Sequence, residues 1–344
     1  MQRLSATALD RAVELLKAGG LVAFPTETVY GLGADAGNPN AVARIFEVKG
    51  RPKGHPLIVH AASLAQATPL ASAWSEAAHA LAAAFWPGPL TLILPASPLA
   101  LSEVTGGQDT VGLRVPNHPV ALALLARFAA AGGSGWLAAP SANVFGAVSP
   151  TRAQDVVRGL ESRMGPQDAV LDGGDSAVGL ESTIVDCTVS PPRLLRPGGI
   201  PREAIEAVVR LADTKTGIQA AAPRVSGSLA SHYAPRTPLW LMSRGEMQER
   251  MNDMQGASRR IAVWWLSEDA ADAGAPLFAR IPADVSVEVL RAPAQPQAYG
   301  QQLYARLNDW DQDGFDEIWL ECPPQTRDWE AVMDRLQRAS HAEP

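Results

Sequence analysis

Apolar residues Leu9, Val13 and Leu16 recur at helical spacing and meet Gly19-Gly20, which predicts a first helix that stops at the glycine pair. LVAF (21–24) then fits a short buried strand ended by Pro25. Asn38-Pro39 is a helix start, a capping side chain followed by proline at the first helical position, and that helix is predicted to run to about Val48 before Gly50. Further strands are predicted at 57–60, 90–94, 111–115, 136–139, 169–172 and 182–186. Helices are predicted at 75–84, 118–130, 151–159 and about 201–211. The mixture fits an α/β or α+β domain around a mostly buried sheet, and periodicity leaves the strand order open.

The pattern fails over residues 213–238, where Ala, Ser, Gly and Pro dominate without apolar periodicity. Such a stretch exceeds the roughly 12 to 15 residues beyond which irregular connections are usually functional or unstructured, and it marks a linker. Beyond it, LWLM (239–242), IAVWWL (261–266), VSVEVL (285–290) and EIWLEC (317–322) have strand character, separated in part by helical stretches near 244–254, 296–309 and 326–339. This βαβ pattern predicts a small parallel sheet with covering helices, its Trp240, Trp264, Trp265 and Trp319 serving as core. The expected organisation is therefore a larger domain over 1–212, a linker over 213–238 and a smaller domain over 239–344.

Composition agrees with two domains, because 344 residues exceed the ~250 to 300 at which one core stops growing. With 47% hydrophobic residues and a mean hydropathy of −0.02 the chain is not of the disordered class. The net charge of −7 disfavours bulk nucleic-acid binding. Residues 1–200 carry 14 basic and 15 acidic side chains, while 201–344 carry 15 and 21, so the acidity belongs to the second part. Cys187 and Cys322 lie far apart with no companions at metal-ligand spacing, which fits inert thiols. Asp10 and Glu14 interrupt any apolar leader, and no apolar run approaches the ~18 residues that cross a bilayer, so a cytoplasmic protein is expected, with no membrane partner.

Candidate chemistry concentrates in four segments. KGRPKGHPLIVH (49–60) puts Lys49, Arg51, Lys53 and His55 within seven residues, held as a loop by glycines and prolines. Such a cluster suits a polyphosphate, Arg forking onto oxygens and Lys acting as a point charge; a solvated basic loop is the alternative. His60 is either a ligand or a hydrogen-bonded core histidine. PTETVYGLG (25–33) is a strand-end turn offering Thr26, Thr28 and Tyr30, and it fits neither a dinucleotide fingerprint nor a Walker A loop. In APSANVFGAVSPT (139–151), Ser141 and Asn143 precede Gly146, and Ser149-Pro150-Thr151 would open a helix, giving either an anion site or a plain N-cap. Arg114 alternates with Val111, Leu113 and Val115 and points either into a cleft or to solvent. No nucleophile elbow, HExxH, CxxC or EF-hand spacing occurs. Catalysis would therefore rest on positioning and phosphate-charge stabilisation.

PTETVYGLGA, KGRP with HPLIVH, WPGPLTLIL (86–94), VGLRVP (111–116), PSAN with SPT, GLESTIVD (179–186) and LLRPGG (194–199) occur in the order that characterises the YrdC-like domain. SGSLASHYAP (226–235) and a small C-terminal domain resemble the longer, two-domain threonylcarbamoyl-AMP synthases. The resemblance implies a YrdC-like twisted open α/β domain with a deep cavity, linked to a smaller Rossmann-like parallel-sheet domain. It implies a nucleotidyltransferase that joins L-threonine, bicarbonate as CO2, and ATP into threonylcarbamoyl-AMP and pyrophosphate, with Mg2+ carried by ATP. A separate threonylcarbamoyl transferase would pass the group to tRNA.

By the same resemblance, Thr28, His60, Arg114, the backbone of Ala139, and Ser182 would surround L-threonine. Arg51, His55, Thr110, Ser141, Asn143, Ser149, Arg196 and Tyr233 would hold ATP. Lys49 and Arg51 would carry the catalytic charge, and Ser226 to Pro235 would close over the nucleotide. His55 stands where relatives often carry Asn, and Phe145 where a small hydroxyl residue is common. The alternatives are a non-catalytic RNA-binding or ribosome-assembly module, and carbamoyl transfer from carbamoyl phosphate as in hydrogenase maturation. The latter calls for zinc-finger-like cysteines and an upstream acylphosphatase segment, neither of which this chain contains.

Overall fold

A computed structural model describes residues 1–212, 222–227, 233–254, 258–266, 278 and 280–340. The chain divides into two compact units, one formed by Met1–Phe145 and Ser149–Ser228, the other by Gly146–Val148 and Leu229–Pro344.

The first unit is built on ten strands: β1 (Gln2–Ser5), β2 (Val22–Phe24), β3 (Gly31–Asp35), β4 (Ile58–His60), β5 (Leu90–Pro95), β6 (Thr110–Arg114), β7 (Leu137–Ala138), β8 (Ala169–Asp172), β9 (Thr183–Asp186) and β10 (Arg193–Arg196). They form one mixed sheet in the order β1-β8-β2-β3-β7-β4-β6-β5-β9-β10. Its helices are α1 (Leu9–Lys17), α2 (Pro39–Lys49), α3 (Leu64–Ala67), α4 (Glu76–Phe85), α5 (Ser102–Thr105), α6 (Pro119–Ala130), α7 (Ala153–Leu160) and α8 (Arg202–Glu206). Helices α1 and α6 share one core with β2 and β8, through Leu16, Phe24, Leu124, Phe128 and Leu171. A second core holds Leu57, Val59, Leu90, Leu92, Leu94, Val111, Leu113 and Val185.

That second list explains where a ligand can go. Side chains alternate across a strand, so if Leu57, Val59, Leu92, Leu113 and Val185 face the core, their neighbours Ile58, His60, Thr91, Ile93, Gly112, Arg114, Ser182 and Ile184 share the opposite face. The pairing keeps them level: Ile58 lies opposite Gly112, His60 opposite Arg114, and Thr91 opposite Ile184. That face carries a glycine and polar groups beside Ile58, Ile93 and Ile184.

Three strands escape the hydrophobic pattern: β1, β3 and β10. The Gly31–Asp35 strand lacks β-branched residues because it is squeezed between neighbours. A Cβ on Gly33 would lie 2.8 Å from the Phe24 ring, and one on Gly31 would lie 3.3 Å from Ala139. The helix expected over 201–211 is confined to Arg202–Glu206. The helix expected to open at Ser149 starts at Ala153, with Arg152 at its N-cap and no capping side chain, so Ser149 is released for another role.

The second unit carries β11 (Leu239–Met242), β12 (Arg259–Trp265), β13 (Val285–Arg291) and β14 (Glu317–Glu321), all parallel, in the order β11-β14-β12-β13. Helices α9 (Arg244–Asp253), α10 (Pro296–Trp310) and α11 (Glu330–Ser340) accompany them. Trp264 and Trp319 are buried as expected of core residues. Trp240 is instead 41% exposed, its ring covered by the Arg250 guanidinium at 4.0 Å. Of the linker expected over 213–238, residues 213–221 and 228–232 lie outside the described residues.

Candidate active site

Helix α2 sets up the cationic end of the site. Asn38 caps its start, accepting from the backbone N–H groups of Asn40 and Ala41, and Gly50 ends it in the left-handed conformation at φ 64°. The stop places Lys49 on the last turn and throws Arg51 clear of it. Lys49 is therefore not a loop cation. Its ammonium is buried and donates to the carbonyls of Ser141 (2.6 Å) and Asn143 (2.5 Å), while its own carbonyl accepts from Phe145 N–H (2.8 Å). Burial, and then the neighbouring Arg51 charge, push it well below its ordinary value. Lys49 thus ties the 141–145 turn to the helix.

Arg51 is buried too and donates to the Pro56 carbonyl (3.1 Å) and to Ser226 Oγ (3.5 Å). Phe145 stands beside this guanidinium. Its ring lies 5.5 Å from the Arg51 guanidinium and 5.5 Å, edge-on, from the His55 ring. The His55 imidazole is held below its ordinary value by burial and then by Arg51 and Arg224, so it is a neutral polar neighbour near pH 7. Lys53 is exposed and contributes least to this end.

At the other end of the face, His60 and Arg114 stand side by side on parallel β4 and β6. Burial, and then the Arg114 charge, push His60 down to about 3. Arg114 is 4% exposed and lies 2.8 Å from the Glu27 carboxylate, which settles its direction: inward. Thr28 is fully buried with its hydroxyl 2.8 Å from that of Thr26, whose proton is directed to the Val29 carbonyl at 2.6 Å. A hydroxyl has one proton, so Thr28 must donate to Thr26, leaving its oxygen free to accept. Tyr30 is structural: its hydroxyl donates to the Gly174 carbonyl at 2.7 Å.

Between the two ends lie Ser182 and Arg196. The guanidinium of Arg196 donates to the Ser182 carbonyl (2.8 Å) and hydroxyl (3.2 Å), and Ser182 shares a 2.7 Å hydrogen bond with Thr91. Ser149 donates to the Glu181 carboxylate at 2.7 Å rather than capping a helix. Ala139 is committed to β4 through its N–H, which donates to the Ile58 carbonyl at 3.0 Å. Asn143 donates to the Val144 carbonyl (2.8 Å), and Ser141 bridges Gly31.

A cleft opens on this face, lined by Pro56, Ile58, Thr110, Gly112, Ile93 and the segment Arg224–Ser226. That segment is strapped down. Gln108 accepts from Arg224 N–H (2.7 Å) and donates to its carbonyl (3.1 Å), Arg224 donates to the Gly106 carbonyl (2.9 Å), and Arg196 donates to the Ser226 carbonyl (2.8 Å). Val225 packs on Ile93 and Ile184. Tyr233 belongs to the second unit, where its buried ring stacks on Tyr304 at 5.7 Å and lies under the Arg335 guanidinium at 5.2 Å.

Sequence patterns missed Glu27, Glu181, Thr91, Gln108 and Arg224. Glu27 carried one usable signal, a carboxylate placed between two hydroxyl residues in the turn that follows a buried strand. Of the two thiols Cys187 is buried and Cys322 partly so, and burial pushes Cys187 up to about 12 and Cys322 up as well. Among the described residues no helix is long and apolar enough to cross a membrane.

Two family profiles cover nearly the whole chain: one described as "Telomere recombination" (the Sua5, YciO and YrdC group) over residues 14–198, the other as "Threonylcarbamoyl-AMP synthase, C-terminal domain" over 200–341. The threonylcarbamoyl-AMP synthase of Bacillus subtilis is 40% identical over 338 residues, covering 96% of this chain and 92% of its own. That of Pyrococcus abyssi is 37% identical, covering 98% and 96%. The crystal structure of P. abyssi Sua5 complexed with L-threonine superposes with a TM-score of 0.83 at 36% identity, covering 98% and 97%.

Proposed function

The chain belongs to the two-domain threonylcarbamoyl-AMP synthases, and from that premise we propose how its residues divide the work. The enzyme is a nucleotidyltransferase that makes threonylcarbamoyl-AMP, with L-threonine and ATP as substrates. We assign the amino acid to the end of the face that holds Thr28, His60, Arg114 and Ser182. The observation that carries this assignment is the inward-facing Arg114 beside a neutral His60: a fixed cation for a carboxylate and an imidazole for a hydroxyl.

ATP is assigned to the cleft beside Thr110 and Gly112, its phosphates toward Arg51, Arg196, Ser141 and Ser149. The threonine nitrogen takes up carbon dioxide, a carbamate oxygen attacks the α-phosphorus in line, and pyrophosphate leaves. Arg51 neutralises charge developing on the phosphoryl oxygens, while Lys49 holds the 141–145 turn in place for the same oxygens. Mg2+ would come with the ATP phosphates, where it would supply further charge neutralisation. A downstream transferase acting on tRNA would consume the product, and a cytoplasmic setting fits such a role.

The test is pyrophosphate release from ATP, Mg2+ and bicarbonate with and without L-threonine. Release that ignores threonine overturns the assignment, and RNA binding at about 0.15 M salt without turnover would favour the RNA-module alternative.

A further inference from the structure

We propose that Glu27 is a substrate-binding residue that receives the ammonium end of the amino acid and then its proton. The proposal rests on the placing of L-threonine at Arg114 and adds a group that this placing leaves unused.

The Glu27 side chain is 8% exposed and that of Arg114 is 5% exposed, with Glu27 Oε1 and Arg114 Nη2 2.8 Å apart. They are close without being aligned. Both Glu27 oxygens, and Nε and Nη2 of Arg114, make no hydrogen bond among the described residues. Buried ionic groups ordinarily satisfy such atoms, because each unmet one forfeits its solvation without return. Four of them side by side, two accepting and two donating, are complementary to a ligand that carries both signs on adjacent atoms. An α-amino acid is such a ligand: its carboxylate forks onto Arg114 and its ammonium meets Glu27.

The other groups facing Glu27 leave this exchange undisturbed. His118 on α6 is held below its ordinary value by burial against a smaller opposing pull from Glu27, and its Nδ1 is occupied in accepting from Val120 N–H. His60, beyond Arg114, is neutral as well. Among the described residues Glu27 therefore has one cationic partner, Arg114, and the substrate carboxylate competes for it.

The reaction needs such a group. An α-amino nitrogen is largely protonated below about pH 8 and cannot attack carbon dioxide in that form. When the substrate carboxylate engages Arg114, the ammonium becomes the counter-charge of Glu27. One proton passes from nitrogen to a Glu27 oxygen, and the freed lone pair forms the N–C bond to carbon dioxide, one C–O π pair moving onto oxygen. The second nitrogen proton leaves to solvent as the carbamate forms, and Glu27 returns its own proton to solvent after turnover.

The test compares calorimetric binding of L-threonine, of 3-hydroxybutyrate (no ammonium) and of threoninol (no carboxylate) to the whole chain. Wild type should bind either analogue at least about tenfold more weakly than L-threonine. In Glu27→Gln, L-threonine should weaken about tenfold or more while 3-hydroxybutyrate does not, and turnover should rise about tenfold per pH unit from pH 6 to 8, a slope wild type lacks. A variant that discriminates as wild type does, with the wild-type pH profile, overturns the role of Glu27 and leaves the Arg114 site standing. Arg114→Met with unchanged threonine binding overturns the placing beneath it. If Glu27→Gln does not fold, the wild-type comparison decides: 3-hydroxybutyrate bound as tightly as L-threonine removes the proposal.

Discussion

Lys49 and Arg51 are separated by a single glycine, yet burial and partners give them different work. Lys49 is spent on two main-chain carbonyls, so Lys49→Met should leave both unmet at a cost of about 1 to 3 kcal/mol each, read as a lower thermal midpoint, together with a fall of about 10² in kcat. A kcat loss without any change in stability would contradict this tethering. His60 makes a separate prediction through pH. Its folded value of about 3 lies below the 6.5 of an exposed imidazole, so protons favour the unfolded chain. The contribution of the neutral ring is complete above about 6.5 and erodes as pH falls from there toward 3, by up to about 1.4 kcal/mol per unit. Urea titrations at pH 7, 5.5 and 4.5 should show that erosion, and His60→Gln should flatten it; equal slopes in both proteins would refute it. At this scale the sequence disclosed residue types well and directions poorly. Arg114 was legible as a strand arginine, but only the register against His60 and the Glu27 contact turned it inward.

Elements show why some of the site was legible and some was not. The alternation in VGLRVP and HPLIVH is the period of a strand with one face in the core, so the opposite face could be expected to carry the chemistry. The strand Gly31–Asp35 could not be found this way, because the crowding by Phe24 and Ala139 that demands its glycines also removes its apolar signal. Gly112 has the reverse meaning: its missing side chain is space in the cleft, where a Cβ would already lie 3.2 Å from Ile93. Gly112→Val should raise the KM for ATP about tenfold or more with little effect on that for threonine, a split that steady-state kinetics reads directly. The 224–226 strap was invisible to periodicity because two side-chain–main-chain bonds from Gln108 and one buried valine hold it, not a repeating pattern. Gln108→Ala should loosen it, making the Arg224 peptide bond more sensitive to trypsin and raising the KM for ATP; unchanged cleavage would show that Gln108 is not its anchor.

At the scale of the whole chain, the strap and the second unit are consecutive. Residues 222–227 are docked on the first unit through Gln108, Arg196 and Val225, while residues from Leu229 onward belong to the second. A protease site inserted near residue 221 would therefore leave the strap joined covalently to the second unit alone. Its docking on the first would then depend on hydrogen bonds through Gln108, Arg224, Arg196 and Arg51 and on the Val225 contact, without the connection that supplies a high effective concentration. Cleavage should thus lower pyrophosphate release by more than about tenfold, and the loss should deepen on dilution. Threonine binding should survive, because Thr28, His60 and Arg114 all lie before residue 146. Full activity after verified cleavage, independent of protein concentration, would mean that the strap needs no tether.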